Sequence, residues 1–198
     1  MLSQLIRQFG TLVFVLMLSA CASINTSGSD DSYTKMARAH LYEMQRWHLE
    51  GRLGISAPKD SWSANIDWQH QPDADRIKLS GPLGQGAISI TLVDERVTID
   101  RGDGHAQTSS NPEQFINQQL GIFVPLQSLR FWAAGLPESG QLFQTTSDGF
   151  VQNKWLIAYK EMQKVGGESM PRKMTVSNDK IKLKLIVDQW DLNGGNSN

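Results

Sequence analysis

Apolar residues in this chain recur at every second position, stretch after stretch, and that period limits what the chain can become. In WHLEGRLGIS, Trp47, Leu49, Leu53 and Ile55 are interleaved with His48, Glu50 and Arg52. In SWSANIDWQ, Trp62, Ala64, Ile66 and Trp68 alternate with Ser63, Asn65 and Asp67. Ile77 and Leu79, then Ile88, Ile90 and Leu92, then Val97 and Ile99 extend the pattern. Successive side chains on a strand point to opposite faces, so a period of two gathers the apolar ones on one face. Repeated with short turns such as GDG at Gly102 to Gly104, it argues for an antiparallel sheet with one dry face.

The period changes twice. From about Ser32 to Arg46, Tyr33, Met36, Ala37, His40, Leu41 and Met44 fall on one face at helical spacing. Farther on, Asn111, Pro112 and Gln114 read as an N-cap, an N1 proline and a capping-box partner. Phe115, Ile116 and Leu120 then supply a short apolar face, and Gly121 a C-terminal stop. A further helix is expected from Pro125 to Ala134, with Leu126, Leu129, Phe131 and Trp132 as its apolar residues. Strands resume at Leu142, turn at Asp148–Gly149, and continue through KWLIAYK and Met174–Val176. In the closing KIKLKLIVDQW, Ile181, Leu183, Leu185 and Val187 alternate with Lys180, Lys182, Lys184 and Ile186. Roughly eleven strands and two or three helices result, a mainly β chain whose curved antiparallel sheet, open or closed, carries helices at its mouth.

The first twenty of the 198 residues stand apart from this fold. Arg7 gives a positive start, TLVFVLML an apolar run shorter than a bilayer span, and Ser19 and Ala20 the small residues of a cleavage site. The sole cysteine, Cys21, follows at once and has no partner for an internal disulfide. LSAC, Leu18 to Cys21, resembles a bacterial lipobox. That resemblance implies a lipoprotein signal peptide over 1–20 and a lipid on Cys21. With Ala22 next instead of an aspartate, it implies an outer-membrane address facing the periplasm. Residues 22–32, ASINTSGSDDS, are small and polar and read as a flexible tether. The folded domain is expected over 33–192 and a short tail over 193–198.

Chemistry is sparse. A net charge of −1 with mixed signs gives no basic face, which argues against a nucleic-acid partner. His40, His48, His70 and His105 have no metal-ligand spacing to one another or to the cysteine. There is no nucleophile elbow, P-loop or dinucleotide fingerprint, so neither an enzyme nor a cofactor or metal site is expected. What remains is an apolar sheet face rich in Trp, Ile and Leu. It is either filled core or the wall of a cavity for an apolar ligand, and periodicity is compatible with both.

Several stretches, in order and at their spacing, resemble the LolB family of outer-membrane lipoproteins. They are the lipobox, GRLGIS, SGPLGQGAISI, VPLQSLRFWAAGLP and MPRKM followed by DKIKLKLIVDQW. The resemblance implies an unclosed, half antiparallel β-barrel of about eleven strands, with helices covering an apolar cavity. It also implies a lipoprotein acceptor that receives acylated cargo from a LolA-type periplasmic carrier and inserts it into outer-membrane lipid. A monomer is expected. On this reading the cavity is lined by Leu53 and Ile55, by Trp62, Ile66 and Trp68, and by Ile77 and Leu79. Ile88 and Ile90, Leu129 and Trp132 of the helical motif, and Leu183 and Leu185 complete it. Leu83, held between Pro82 and Gly84, occupies the position of the family's membrane-insertion loop. The alternative is an outer-membrane lipoprotein that binds some other lipid or apolar ligand.

Overall fold

A computed structural model describes residues 36–58, 61–81, 86–121 and 123–194. The signal segment, Cys21, the tether and the Pro82–Leu83–Gly84 tip lie outside the described residues.

The period-two stretches are strands. They are β1 (Trp47–Ser56), β2 (Ser61–Gln71), β3 (Ala74–Ser80), β4 (Ile88–Val93), β5 (Arg96–Asp100) and β6 (Gln107–Ser109). After two helices, α1 (Pro112–Leu120) and α2 (Leu126–Ala133), come β7 (Phe143–Thr146), β8 (Gly149–Gln152), β9 (Trp155–Val165), β10 (Glu168–Ser177) and β11 (Lys182–Asp191). All join one sheet in the order β6-β5-β4-β3-β2-β1-β11-β10-β9-β8-β7. Every pairing is antiparallel. The sheet is open, with β6 and β7 as its edges. The two halves of the sequence meet at β1 and β11, so the strands nearest the chain ends sit at the centre.

The alternation sorts as the sequence demands. In β11, Leu183, Leu185 and Val187 are buried while Lys182 and Lys184 are exposed. The alternation breaks at Asp188, where a bulge intervenes: Glu50 pairs with Gln189 but Gly51 with Val187. Such a bulge sharpens twist and bends the strand. Gly51 permits it, because a Cβ there would lie 2.1 Å from the Ile186 carbonyl oxygen. A second irregularity separates Pro171 from Met174 where β10 meets β9.

The chain entering β1 differs from the expected α-helix. Met36–Glu43 is a 3₁₀ helix, with three residues per turn. Three-residue spacing puts Arg38, Leu41 and Met44 on one side, and His40 falls outside it and is exposed. That side carries the Arg38 guanidinium inward, the residue being only 4% exposed. Its Nε donates to the Gly135 carbonyl at 3.0 Å and its Nη2 to the Ala134 carbonyl at 2.5 Å. Its Nη1 donates to the Ser169 carbonyl. Helix α1 starts at Pro112 and stops at Gly121, whose φ of 69° is left-handed and whose N–H donates to the Asn117 carbonyl at 2.8 Å. The expected capping box does not form, since Asn111 makes no side-chain cap bond. Proline at N1 already removes one of the unsatisfied N–H groups that a cap would serve.

Candidate functional site

Helices α1 and α2 lie over the apolar face of the half-sheet built from β1 to β4 and β11. Sheet residues Leu53, Ile66, Trp68, Ile77, Leu79, Ile90, Leu183 and Leu185 form one wall of a cavity between them. Ile116, Leu120, Val124, Leu126 and Leu129 form the roof. Side chains from five neighbouring strands reach one small space only if the sheet curls around it. Every residue lining this space is apolar. Its volume is about 50 Å³, far below the roughly 300–1,000 Å³ of a ligand pocket. The roof therefore rests almost directly on the sheet.

The expected lining residues divide into groups. Leu53, Ile66, Trp68, Ile77, Leu79, Ile90, Leu183 and Leu185 stand on the sheet wall of this space and Leu129 in its roof. Ile55 is buried in the core but away from it. Trp62 and Ile88 are only partly buried and flank a side groove of about 310 Å³ bounded by Gly81, Gly86 and Leu120. Trp132 is buried elsewhere. Its indole Nε1 donates to Gln152 Oε1 at 2.8 Å, its carbonyl accepts from the Tyr159 hydroxyl at 2.8 Å, and its ring meets Trp155. It anchors α2 to the β8–β9 half of the sheet, because an indole N–H is buried only with an acceptor beside it. The roof residues Ile116, Leu120, Val124 and Leu126 were not among those expected. The i, i+4 spacing of Ile116 and Leu120 in α1 was the available signal for that pair.

One polar cluster underlies the site. Asp75, 2% exposed, accepts from Trp68 Nε1 at 2.9 Å and lies 2.9 Å from His70 Nδ1 on the same carboxylate oxygen. Its other oxygen faces Arg130 Nη1 of α2 at 3.6 Å. The cluster fixes the Trp68 ring, which also packs edge-on against Trp47 at 5.0 Å between ring centres. Asp75 occupies an inward position in step with Ile77 and Leu79, so its burial was readable from the strand period. Outside the cavity, His48, Glu50 and Asp67 come together on the polar face of β1 and β2, with His48 Nε2 3.0 Å from Asp67 Oδ1.

An open antiparallel sheet whose apolar face is roofed by two helices defines the class: an unclosed half-barrel with helices packed over its dry side. The chain spans the features of one family within that class. The family described as "Outer membrane lipoprotein LolB" matches residues 45–190, and the chain belongs to it. Among curated relatives, an outer-membrane lipoprotein LolB of Chromohalobacter salexigens is 33% identical over 190 residues, covering 91% of this chain and 88% of the relative. The Marinomonas sp. protein of the same name is 32% identical over 193 residues, covering 94% and 98%. Among solved structures, a LolA superfamily protein from Nitrosomonas europaea matches with a TM-score of 0.46 at 8% identity, over 75% of this chain and 86% of that one. Membership makes the chain an outer-membrane lipoprotein with a lipoprotein-receptor role.

Proposed function

We propose that the chain takes the acyl chains of lipoproteins, delivered by a LolA-type periplasmic carrier, between its roof helices and its sheet, and passes them into outer-membrane lipid. The observation that supports this is the composition of the cavity, whose walls carry no polar side chain among the described residues. Pockets for ordinary small ligands place a few polar groups to fix orientation. A wall without them suits interchangeable hydrocarbon, which asks only for burial worth about 0.8 kcal/mol per CH₂. No bond is made or broken in such a transfer.

Residues 1–20 direct export, a lipid on Cys21 supplies the anchor, and residues 22–32 are the tether of a monomeric domain over 33–192, with 193–198 as tail. Leu83, between Pro82 and Gly84, touches the bilayer during delivery. The test is transfer: the purified mature chain is mixed with carrier loaded with an acylated lipoprotein, and cargo is followed by pull-down of each partner. Cargo is expected to move to this chain without any nucleotide. Cargo that stays on the carrier refutes the acceptor reading. Leu83→Glu is expected to keep acceptance and lose delivery to vesicles.

A further inference from the structure

Leu142 is the most exposed large apolar residue among those described, at 94%, and Phe123 is 49% exposed. A single exposed leucine is ordinary. The position of this one in the fold is what matters.

The strand register fixes which turns share an end. Ser56 pairs with Ser61, Leu79 with Ile88, Ser177 with Lys182, Gln152 with Trp155, and Phe143 with Gln152. Following the ladder across the sheet, these pairs all lie at the same end of the strands. Leu142, just before Phe143, is therefore at that end, together with the connection from β3 to β4. Phe123 joins them. Arg101, just after β5, donates to the Gln119 carbonyl at 2.8 Å, and Leu120 lies beside Gly81 and Gly86. The chain leaves α1 there and reaches Phe123 within three residues.

We propose that Leu142 and Phe123 are membrane-contacting tips of this rim, and that the chain meets a phospholipid surface with this end of its strands. The proposal rests on the delivery role given above and adds residues to it on separate structural grounds. Leu142 ends a short loop, ESGQL, with Ser139, Gly140 and Gln141 before it, and is almost fully exposed. A protein partner needs a contiguous patch of about 800 Å² on each side, whereas Leu142 and Phe123 sit on two different connections, one before β7 and one between α1 and α2. Bilayer hydrocarbon needs no matching shape, so it accepts isolated tips. The rim is mixed in charge, Arg101, Lys154 and Lys180 standing among Asp103 and Asp179, so no field of one sign dominates it and the attraction is apolar. The tether is long enough. The 3₁₀ helix sits at the opposite end, held to Ser169 beside the β9–β10 turn. From Cys21 to Met36 is 36 − 21 = 15 residues. At about 3.3–3.6 Å each they reach at most about 54 Å, against about 37 Å for the longest strands, of 11 residues, at about 3.4 Å per residue.

The experiment uses the lipidated mature chain in phospholipid vesicles. Cys21 is acylated, so Leu142→Cys carries the only free thiol and takes an environment-sensitive fluorophore. Glu95→Cys, in the exposed β4–β5 turn at the other end, is labelled as the reference. The label at 142 is expected to shift to shorter wavelength and to be quenched by lipid-borne quencher at both low and high salt, while that at 95 is not. Equal behaviour at the two positions overturns the proposal. In a separate arm, Leu142→Glu is expected to slow delivery of cargo into vesicles about tenfold while acceptance from the carrier stays at the wild-type level. Loss of acceptance instead would assign Leu142 to the carrier interface and overturn the proposal. If the unmodified chain accepts no cargo, the acceptor reading fails, and the quenching arm still decides whether this rim meets lipid.

Discussion

Arg38 closes the roof onto the rest of the molecule, and replacing it tests how the cavity is held shut. Its guanidinium serves the carbonyls of Ala134 and Gly135, at the end of α2, and of Ser169, at the start of β10. Arg38→Met keeps an apolar stem of similar length and removes all three donors. Each buried carbonyl left without a partner costs about 1–3 kcal/mol. Part of that is returned, because a charge no longer has to be desolvated and water can reach the partly buried Ser169 oxygen. A net loss of about 2–4 kcal/mol follows. For a domain of this size each kcal/mol lowers Tm by about 2–4 °C, so the expected fall is about 5–15 °C in a thermal scan by circular dichroism. The loss should be local in origin. Hydrogen exchange is expected to rise in 130–137 and 166–170 and to stay slow in β2 to β4. Arg38→Lys, which can serve one or two of the carbonyls, should fall between. A shift under about 2 °C, or exchange that rises evenly over the sheet, would refute the role assigned to Arg38.

Three further outcomes are expected. Gly51→Ala forces a Cβ into the Ile186 carbonyl at the bulge and should destabilise by about 1–3 kcal/mol in urea titration. Gly54→Ala on the same strand, where a Cβ meets nothing within 4 Å, should stay within about 0.5 kcal/mol. Ile66→Asn puts an amide without a partner on the cavity wall; cargo acceptance should drop while circular dichroism still shows the sheet, and undiminished acceptance would remove Ile66 from the path. Glu161 is held below the usual carboxylate range by its hydrogen bond from Lys173 and then by that from Arg172. Because its folded pKa is depressed, its contribution is complete above the unfolded value near 4.5 and is lost as pH falls through the folded value. Carbon-detected NMR titration should find the Glu161 midpoint below that of other exposed glutamates, and Arg172→Ala with Lys173→Ala should raise it.

Much of this molecule is written in its period. Inward and outward residues of β1 and β3, and of β11 up to its bulge, follow alternation alone, because one face is dry and a one-residue slip would invert every side chain. The same rule put Leu53, Ile66, Trp68, Ile77, Leu79, Ile90, Leu183 and Leu185 on one face; that this face walls a cavity was implied by the family resemblance and not by the period. The misses have physical causes. Periodicity says that Trp132 is buried but not against which half of the sheet, and its Gln152 partner lies twenty residues away in another element. Trp62 and Ile88 keep the inward phase, yet they stand where the strands outrun the roof, so they face a groove. Arg38 looks like any helix arginine. Its burial depends on carbonyls 96, 97 and 131 residues distant, which no local pattern encodes.

The small cavity bears on how transfer can be driven. Its roof residues Ile116, Leu120, Val124, Leu126 and Leu129 touch the sheet now and would be uncovered if α1 and α2 lifted with nothing beneath. At about 1.5–3 kcal/mol per large aliphatic side chain, full exposure of five would cost about 8–15 kcal/mol, an upper bound because lifting is partial. A single acyl chain of about fifteen CH₂ groups gains about 12 kcal/mol on leaving water. The two terms are of the same size. An empty open state is therefore rare, and a loaded state exchanges roof–sheet contacts for chain–wall contacts at little net change. On the acceptor role proposed above, loading then needs no external energy, provided the carrier holds its cargo no more tightly. Release needs none either, since bilayer hydrocarbon offers the acyl chain the same burial and lets the roof close again.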